Sequence, residues 1–126
     1  MIVGIGTDLA EVGRIRQSIA DFGDRFLHRI FTERERAYAS SKANAAERYA
    51  ARFAAKEAGM KAIGTGWSRG VAWKDFEVAN ERSGRPTLQL SGVAREIAEK
   101  LSVVRISISL THTKEMAFAI VILESN

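Results

Sequence analysis

An alanine-rich helix and a glycine-bearing strand limit what this chain can fold into. Ala50, Ala51, Ala54, Ala55, Ala58 and Ala62 crowd one segment. That segment opens at Asn44, carries Glu47 three residues on, and runs to about Ile63 before Gly64. Alanine is the strongest helix former, and its small side chain lets a helix approach a neighbour closely. Gly64 suits the cap position that follows such a helix. The N-terminal stretch MIVGIGTDL reads as a strand, with Ile2, Gly4, Gly6 and Asp8 on one face and Val3, Ile5, Thr7 and Leu9 on the other. Glycines at successive same-face positions mark the close approach of another backbone or of a ligand. Packing this strand on the alanine-rich helix uses both features and would bring Asp8 near Glu57.

The remaining pattern is mixed. Val12, Ile15, Ile19, Phe22 and Phe26 follow helical spacing, with Gly23 placed to bend or split the helix. Thr32 with Glu35 three residues later is a capping-box signature for a short helix. VAWKDFEVAN and PTLQL flank ERSGR as a hairpin, SGVAREIAEKL is a short helix, and VVRISISLTH with EMAFAIVILE forms a second hairpin around Thr113 and Lys114. The order predicts one α+β domain over residues 1–126, with a mainly antiparallel sheet against the long alanine-rich helix.

Composition narrows the chemistry. The 126 residues include no cysteine, which excludes disulfides and thiolate metal sites, and only two histidines, His28 and His112. Any metal is then expected to be a hard cation held by carboxylates. No apolar run approaches the ~20 residues needed to span a bilayer. The N-terminus has no basic lead and meets an acid at Asp8, so it reads as mature structure and not as a signal peptide. The expected location is cytoplasmic. A net charge of +4 favours an anionic partner.

Several residues have both a plain reading and a functional one. Glu57 and Lys61 stand one helical turn apart in the orientation that favours a helix ion pair, worth only ~0.3–0.5 kcal/mol. Alternatively, they face a ligand, with Gly64, Thr65 and Gly66 bringing backbone N–H groups close to a phosphate. Asp8 is either a helix N-cap or, with Glu57, a Mg²⁺ ligand. His112 is either a structural residue at a strand end or, with Ser109, Thr111, Thr113 and Lys114 nearby, a contact for phosphate or ribose. His28 lacks such company and reads as surface. Arg14, Arg25 and Arg29 would share a face of an unbroken helix, either as a solvated stripe or as a dock for an acidic partner.

Together GIGTDLAEV, RFAAKEA, KAIGTG, SGRP and ISLTHTKEMAFA resemble the holo-acyl-carrier-protein synthases, the short bacterial type of 4′-phosphopantetheinyl transferase. The resemblance covers essentially the whole chain. It implies transfer of 4′-phosphopantetheine from coenzyme A to a serine of an acidic apo-acyl carrier protein, leaving adenosine 3′,5′-bisphosphate, in fatty acid biosynthesis. It implies the family's fold and a homotrimer with active sites at subunit interfaces. On this chain, Asp8 and Glu57 would hold Mg²⁺, and Lys61 would neutralise phosphate charge. Gly64, Thr65 and Gly66 would line the coenzyme A site, and Ser109, His112 and Thr113 would reach it from the adjacent protomer. Arg14 and Arg25 would face the carrier protein. Glu57 and Lys61 would be the catalytic pair, with the acceptor of the serine proton open between Glu57 and water.

Two other classes fit a small basic α+β chain. A nucleic-acid-binding domain would need aromatics interleaved with Arg and Lys, and Trp67, Trp73, Phe76 and Phe118 form no such set. A trimeric module that only holds a carrier protein would lack Asp8, Glu57 or Lys61, and this chain has all three.

Overall fold

The computed structural model describes residues 1–126. The chain begins with strand β1 (Ile2–Glu11) and passes directly into α1 (Val12–Phe22), α2 (Asp24–Ile30) and α3 (Glu33–Ser40). The long helix α4 (Ala45–Ala62) follows, then a single 3-10 turn (Trp73–Asp75). The second half comprises β2 (Phe76–Asn80), β3 (Pro86–Leu90), α5 (Gly92–Lys100), β4 (Arg105–His112) and β5 (Met116–Glu124).

The strands form two antiparallel sheets. One has the order β1-β5-β4, and the other is the β2-β3 hairpin. In the larger sheet Asp8 lies opposite Ala119, and Ala10 opposite Ala117. Ala117, Ala119, Val121 and Leu123 alternate on the inner face of β5 and are buried against α4, whose Ala50, Ala54, Ala55 and Ala58 have no exposed surface.

The glycine pair explains how α4 comes so close. A Cβ on Gly4 would overlap the carbonyl oxygen of Ala62, and one on Gly6 would overlap that of Ala58. The helix backbone itself rests on β1 at these two positions. This contact sets the height of α4 over the strand and puts its last turns beside Asp8.

The structure decides several local readings, bearing out the break at Gly23 and shortening the strand expected from Val71. Strand β1 continues to Glu11, so Asp8 does not cap a helix; Glu11 is the residue before α1, and it makes no side-chain cap bond. The helical pattern from Val12 to Phe26 is broken at Gly23, whose positive φ of 54° turns the chain between α1 and α2. Strand β2 starts only at Phe76, because Trp73–Asp75 forms the 3-10 turn. The capping box of α3 forms as read: Thr32 N donates to Glu35 Oε1 at 2.8 Å, and Glu35 N to Thr32 Oγ1 at 3.3 Å.

The outer face of the larger sheet is not covered by any part of the chain. Ile5 and Leu9 are 55% and 62% exposed there. Phe118, Ile120 and Ile122 lie opposite Leu9, Thr7 and Ile5 in the ladder and are half-buried.

Candidate active site

The close packing of β1 on α4 brings Asp8, Glu57 and Lys61 together. Lys61 does not form the helix ion pair that its spacing from Glu57 favours. Its ammonium instead reaches across to β1, 3.0 Å from Asp8 Oδ1, and donates to the Thr7 carbonyl at 3.0 Å. The Lys61 side chain is 53% exposed, so this pair contributes at most about 1 kcal/mol to stability. Its value lies in placing a cation beside two carboxylates.

Glu57 is half-buried and has neither a hydrogen-bond nor an ion-pair partner among its neighbours. Burial raises its pKa above the ordinary carboxylate value, the charge of Asp8 raises it further, and Lys61 pulls it back. Asp8, Glu57 and Arg14 line a cleft of about 590 Å³ with Ile15, Phe26 and Phe53. A second groove of about 460 Å³ shares Ser18, Phe26 and Phe53 with it and continues past Phe22, Arg25, Arg29 and Trp67. Because α1 and α2 are separate helices, Arg14 and Arg25 form no single stripe. Arg14 lines the cleft and Arg25 the adjoining groove instead.

The loop after α4 differs from its expected role. Gly64 N donates to Lys61 O at 3.0 Å, Thr65 N to Met60 O at 3.1 Å, and Gly66 N to Met60 O at 3.2 Å. These N–H groups close the carbonyl end of the helix and are not free for a phosphate. The Thr65 hydroxyl is likewise engaged, donating to Gly66 O at 2.9 Å. The loop still offers open space: a Cβ on Gly64 or Gly66 would meet nothing within 4 Å.

Ser109, His112 and Thr113 do not join Asp8 and Glu57 within one chain. Ser109 lies opposite Ile120, on the outer sheet face. His112 lies opposite Ala117 on the inner face, and its Nδ1 is 3.1 Å from Glu47 Oε1 in the first turn of α4. Ten residues of helix separate Glu47 from Glu57, about 15 Å along the axis. Thr113 closes the β4-β5 turn, where its Oγ1 accepts from Glu115 N and Met116 N. His28 is exposed on α2.

Sequence reasoning missed a buried charge cluster behind the site. Lys56 and Glu35 form a 2.7 Å ion pair with no side-chain exposure on either partner. Lys56 also donates to the Trp73 and Phe76 carbonyls, and Glu35 Oε2 accepts from Val78 N at 2.8 Å. The cluster joins α3, α4, the 3-10 turn and β2. Desolvation lowers the pKa of Lys56, and Glu35 opposes that shift. One turn earlier, buried Arg52 bonds Asn80 Oδ1 at 2.7 Å and covers the Tyr38 ring at 4.2 Å. The signal for this cluster was a lysine among buried alanines; its partner had already been assigned to a helix cap.

This arrangement of strand, helix and cleft has known counterparts. Residues 4–121 match the model of the 4′-phosphopantetheinyl transferase superfamily. A holo-[acyl-carrier-protein] synthase of Solibacter usitatus is 64% identical over 125 residues, spanning 99% of this chain and 100% of the relative. The chain belongs to the holo-[acyl-carrier-protein] synthases of that superfamily. It is therefore an enzyme of the phosphopantetheinyl transferase class. The structure of the Neisseria meningitidis synthase superposes with a TM-score of 0.90 at 31% identity, covering 99% of this chain and 100% of that one. The Bacillus anthracis synthase, solved in complex with CoA (3′,5′-ADP), superposes with a TM-score of 0.82 at 41% identity, covering 100% and 99%. The α+β architecture with its antiparallel sheet is thus that of the holo-[acyl-carrier-protein] synthases.

The donor set of this synthase-family chain suits a hard divalent cation. Asp8 and Glu57 are two oxygen-donor side chains, the charge of Asp8 disfavours that of Glu57, and Glu57 faces the cleft without a partner. A Mg²⁺ site of one or two carboxylates completed by water and substrate phosphate has this composition. No third carboxylate, histidine or cysteine is grouped with the pair.

Proposed function

We propose that this enzyme transfers 4′-phosphopantetheine from coenzyme A to a serine of an acidic apo-acyl carrier protein, with Mg²⁺, in the cytoplasm and in the service of fatty acid biosynthesis. The observation that carries the proposal is Glu57, an unpartnered half-buried carboxylate beside Asp8, facing a cleft rimmed by Arg14. The complex of a 41% identical synthase with CoA (3′,5′-ADP) supports coenzyme A as the donor.

In this reading Asp8 and Glu57 hold the metal, which when bound supplies positive charge to the pyrophosphate of the donor. Lys61, half exposed next to Asp8, adds a second cation for the phosphate oxygens. The serine oxygen bonds to the β-phosphorus of coenzyme A as the bond to the adenosine bisphosphate oxygen breaks, and the hydroxyl proton passes to Glu57 or water. Positioning and charge neutralisation carry such a transfer. Gly64, Thr65 and Gly66 line the nucleotide by leaving room for it rather than through their amides. Arg14 and Arg25 meet the acidic face of the carrier protein, whose apolar side chains enter the groove between them.

The reading also places this chain in a homotrimer. Ser109, His112 and Thr113 do not line the cleft of Asp8 and Glu57 in their own chain, and in this reading they reach coenzyme A at a neighbour's cleft. The exposed apolar sheet face with Ile5 and Leu9 is the surface for that assembly.

The test is the intact mass of apo-acyl carrier protein after incubation with the enzyme, coenzyme A and Mg²⁺. The expected result is a gain of one phosphopantetheine, absent with EDTA and reduced by orders of magnitude in Glu57→Ala. No gain with several carrier proteins and folded enzyme would overturn the proposal.

A further inference from the structure

His112 is held at only one of its ring nitrogens. Nδ1 lies 3.1 Å from Glu47 Oε1, while Nε2 has no hydrogen-bond partner in the chain. Arg52 Nε is the only buried side-chain polar atom that lacks a partner. Nε2 is therefore open to solvent, although the His112 side chain as a whole is only 23% exposed. Glu47 is 18% exposed and stands in the first turn of α4. A carboxylate in that position accepts from Nδ1–H and fixes the tautomer and the ring plane.

We infer that Glu47 is a positioning residue that aims His112 Nε2 at an anionic phosphate oxygen of coenzyme A bound in the neighbouring subunit's cleft. This rests on the proposed role of His112 in coenzyme A binding. With Nδ1–H held by Glu47, protonation at Nε2 produces a donor directed outward, and the carboxylate balances its charge. The pair ties the end of β4 to the start of α4, so the outward nitrogen is set by two elements and not by the exposed turn at Thr113 alone. Glu47 itself touches no substrate. Its capping role, suggested by its place three residues after Asn44, is not realised: α4 has no side-chain cap bond, and Asn44 Oδ1 instead accepts from Arg48 Nε at 3.2 Å.

The experiment is a double-mutant cycle in the full-length assembly, with Glu47→Gln, His112→Ala and the double variant. Coenzyme A affinity is measured by calorimetry with Mg²⁺ present, and KM and kcat with carrier protein. Glu47→Gln is expected to weaken coenzyme A binding about ten-fold, the scale of one charge-assisted hydrogen bond, with kcat little changed. In the His112→Ala background the same substitution should have no further effect, since its target is gone. Equal losses from Glu47→Gln in both backgrounds would mean a structural role and overturn the inference. So would a loss in His112→Ala with none in Glu47→Gln. If His112→Ala itself leaves coenzyme A binding unchanged, the role of His112 fails, and the inference fails with it. The mass test with Glu57→Ala separately decides whether the transferase reading survives.

Discussion

In the proposed reading, Glu57 pits stability against function within a single side chain. Burial, and then the charge of Asp8, raise its pKa above that of an unfolded carboxylate. Between the ordinary value and the raised one, the folded chain binds more protons than the unfolded chain. Stability of the metal-free protein therefore falls as pH rises through that window, and the penalty is fully in place above it. Glu57→Gln removes the charge and keeps the shape. In EDTA it is expected to melt at a higher temperature than wild type near neutral pH. The advantage should vanish in acid, below the ordinary carboxylate range, where wild-type Glu57 is already neutral in both states. Mg²⁺ should then raise the melting temperature of wild type and leave Glu57→Gln nearly unchanged. Calorimetric melts across that pH range, with and without Mg²⁺, check both parts. An advantage that persists in acid would assign the effect to packing.

At the scale of elements, the site depends on how closely two backbones approach. A side chain at Gly6 would meet the Ala58 carbonyl oxygen, which no rotamer change can move. Gly6→Ala must therefore push β1 and α4 apart, separating Asp8 from Lys61 and Glu57. The expected loss is at least the ~1–3 kcal/mol of ordinary overpacking, read as a lower denaturant midpoint. Adding Ala58→Gly should not rescue it, because the obstacle is main chain; a rescue would place the clash in the alanine side chain. This contact was legible in the sequence because glycine spacing in a strand and alanine density in a helix each report the same missing volume. Asp8, Glu57 and Lys61 followed from it, since one docking brings their segments together. The ion pairs were less legible. Helical spacing favours Glu57 with Lys61, yet Lys61 bonds Asp8, whose position depends on tertiary packing. Glu35 satisfies its capping pattern and also pairs with Lys56, a partnership that no local pattern marks. The amides of Gly64, Thr65 and Gly66 had two readings because a glycine loop after a helix looks the same whether its N–H groups serve a ligand or the helix end, and here they bond the helix end.

At the scale of the molecule, the proposed site draws on two separate parts of the chain. Asp8, Glu57 and Lys61 lie at one end of α4, and His112 with its partner Glu47 lies at the other, ten residues of helix away. His112 does not line the cleft of Asp8 and Glu57, and in the proposed reading one coenzyme A takes the two from different subunits. The uncovered sheet face, with Ile5 55% and Leu9 62% exposed, offers a surface on which copies can assemble. A cyclic trimer would then carry three sites, each joining the Glu57 end of one subunit to the His112 end of the next. Subunit mixing tests this directly. Glu57→Gln and His112→Ala variants, assayed alone at limiting coenzyme A, should both be poor enzymes. Co-expressed in equal amounts, they should regain about a quarter of wild-type activity, because random assembly pairs an intact Glu57 with a neighbour's intact His112 in that share of interfaces. Leu9→Arg should abolish the gain by preventing assembly, and light scattering should find it smaller than wild type. Mixed assemblies of wild-type size with no regained activity would mean that each subunit works alone, and that His112 serves the fold rather than its neighbour's substrate.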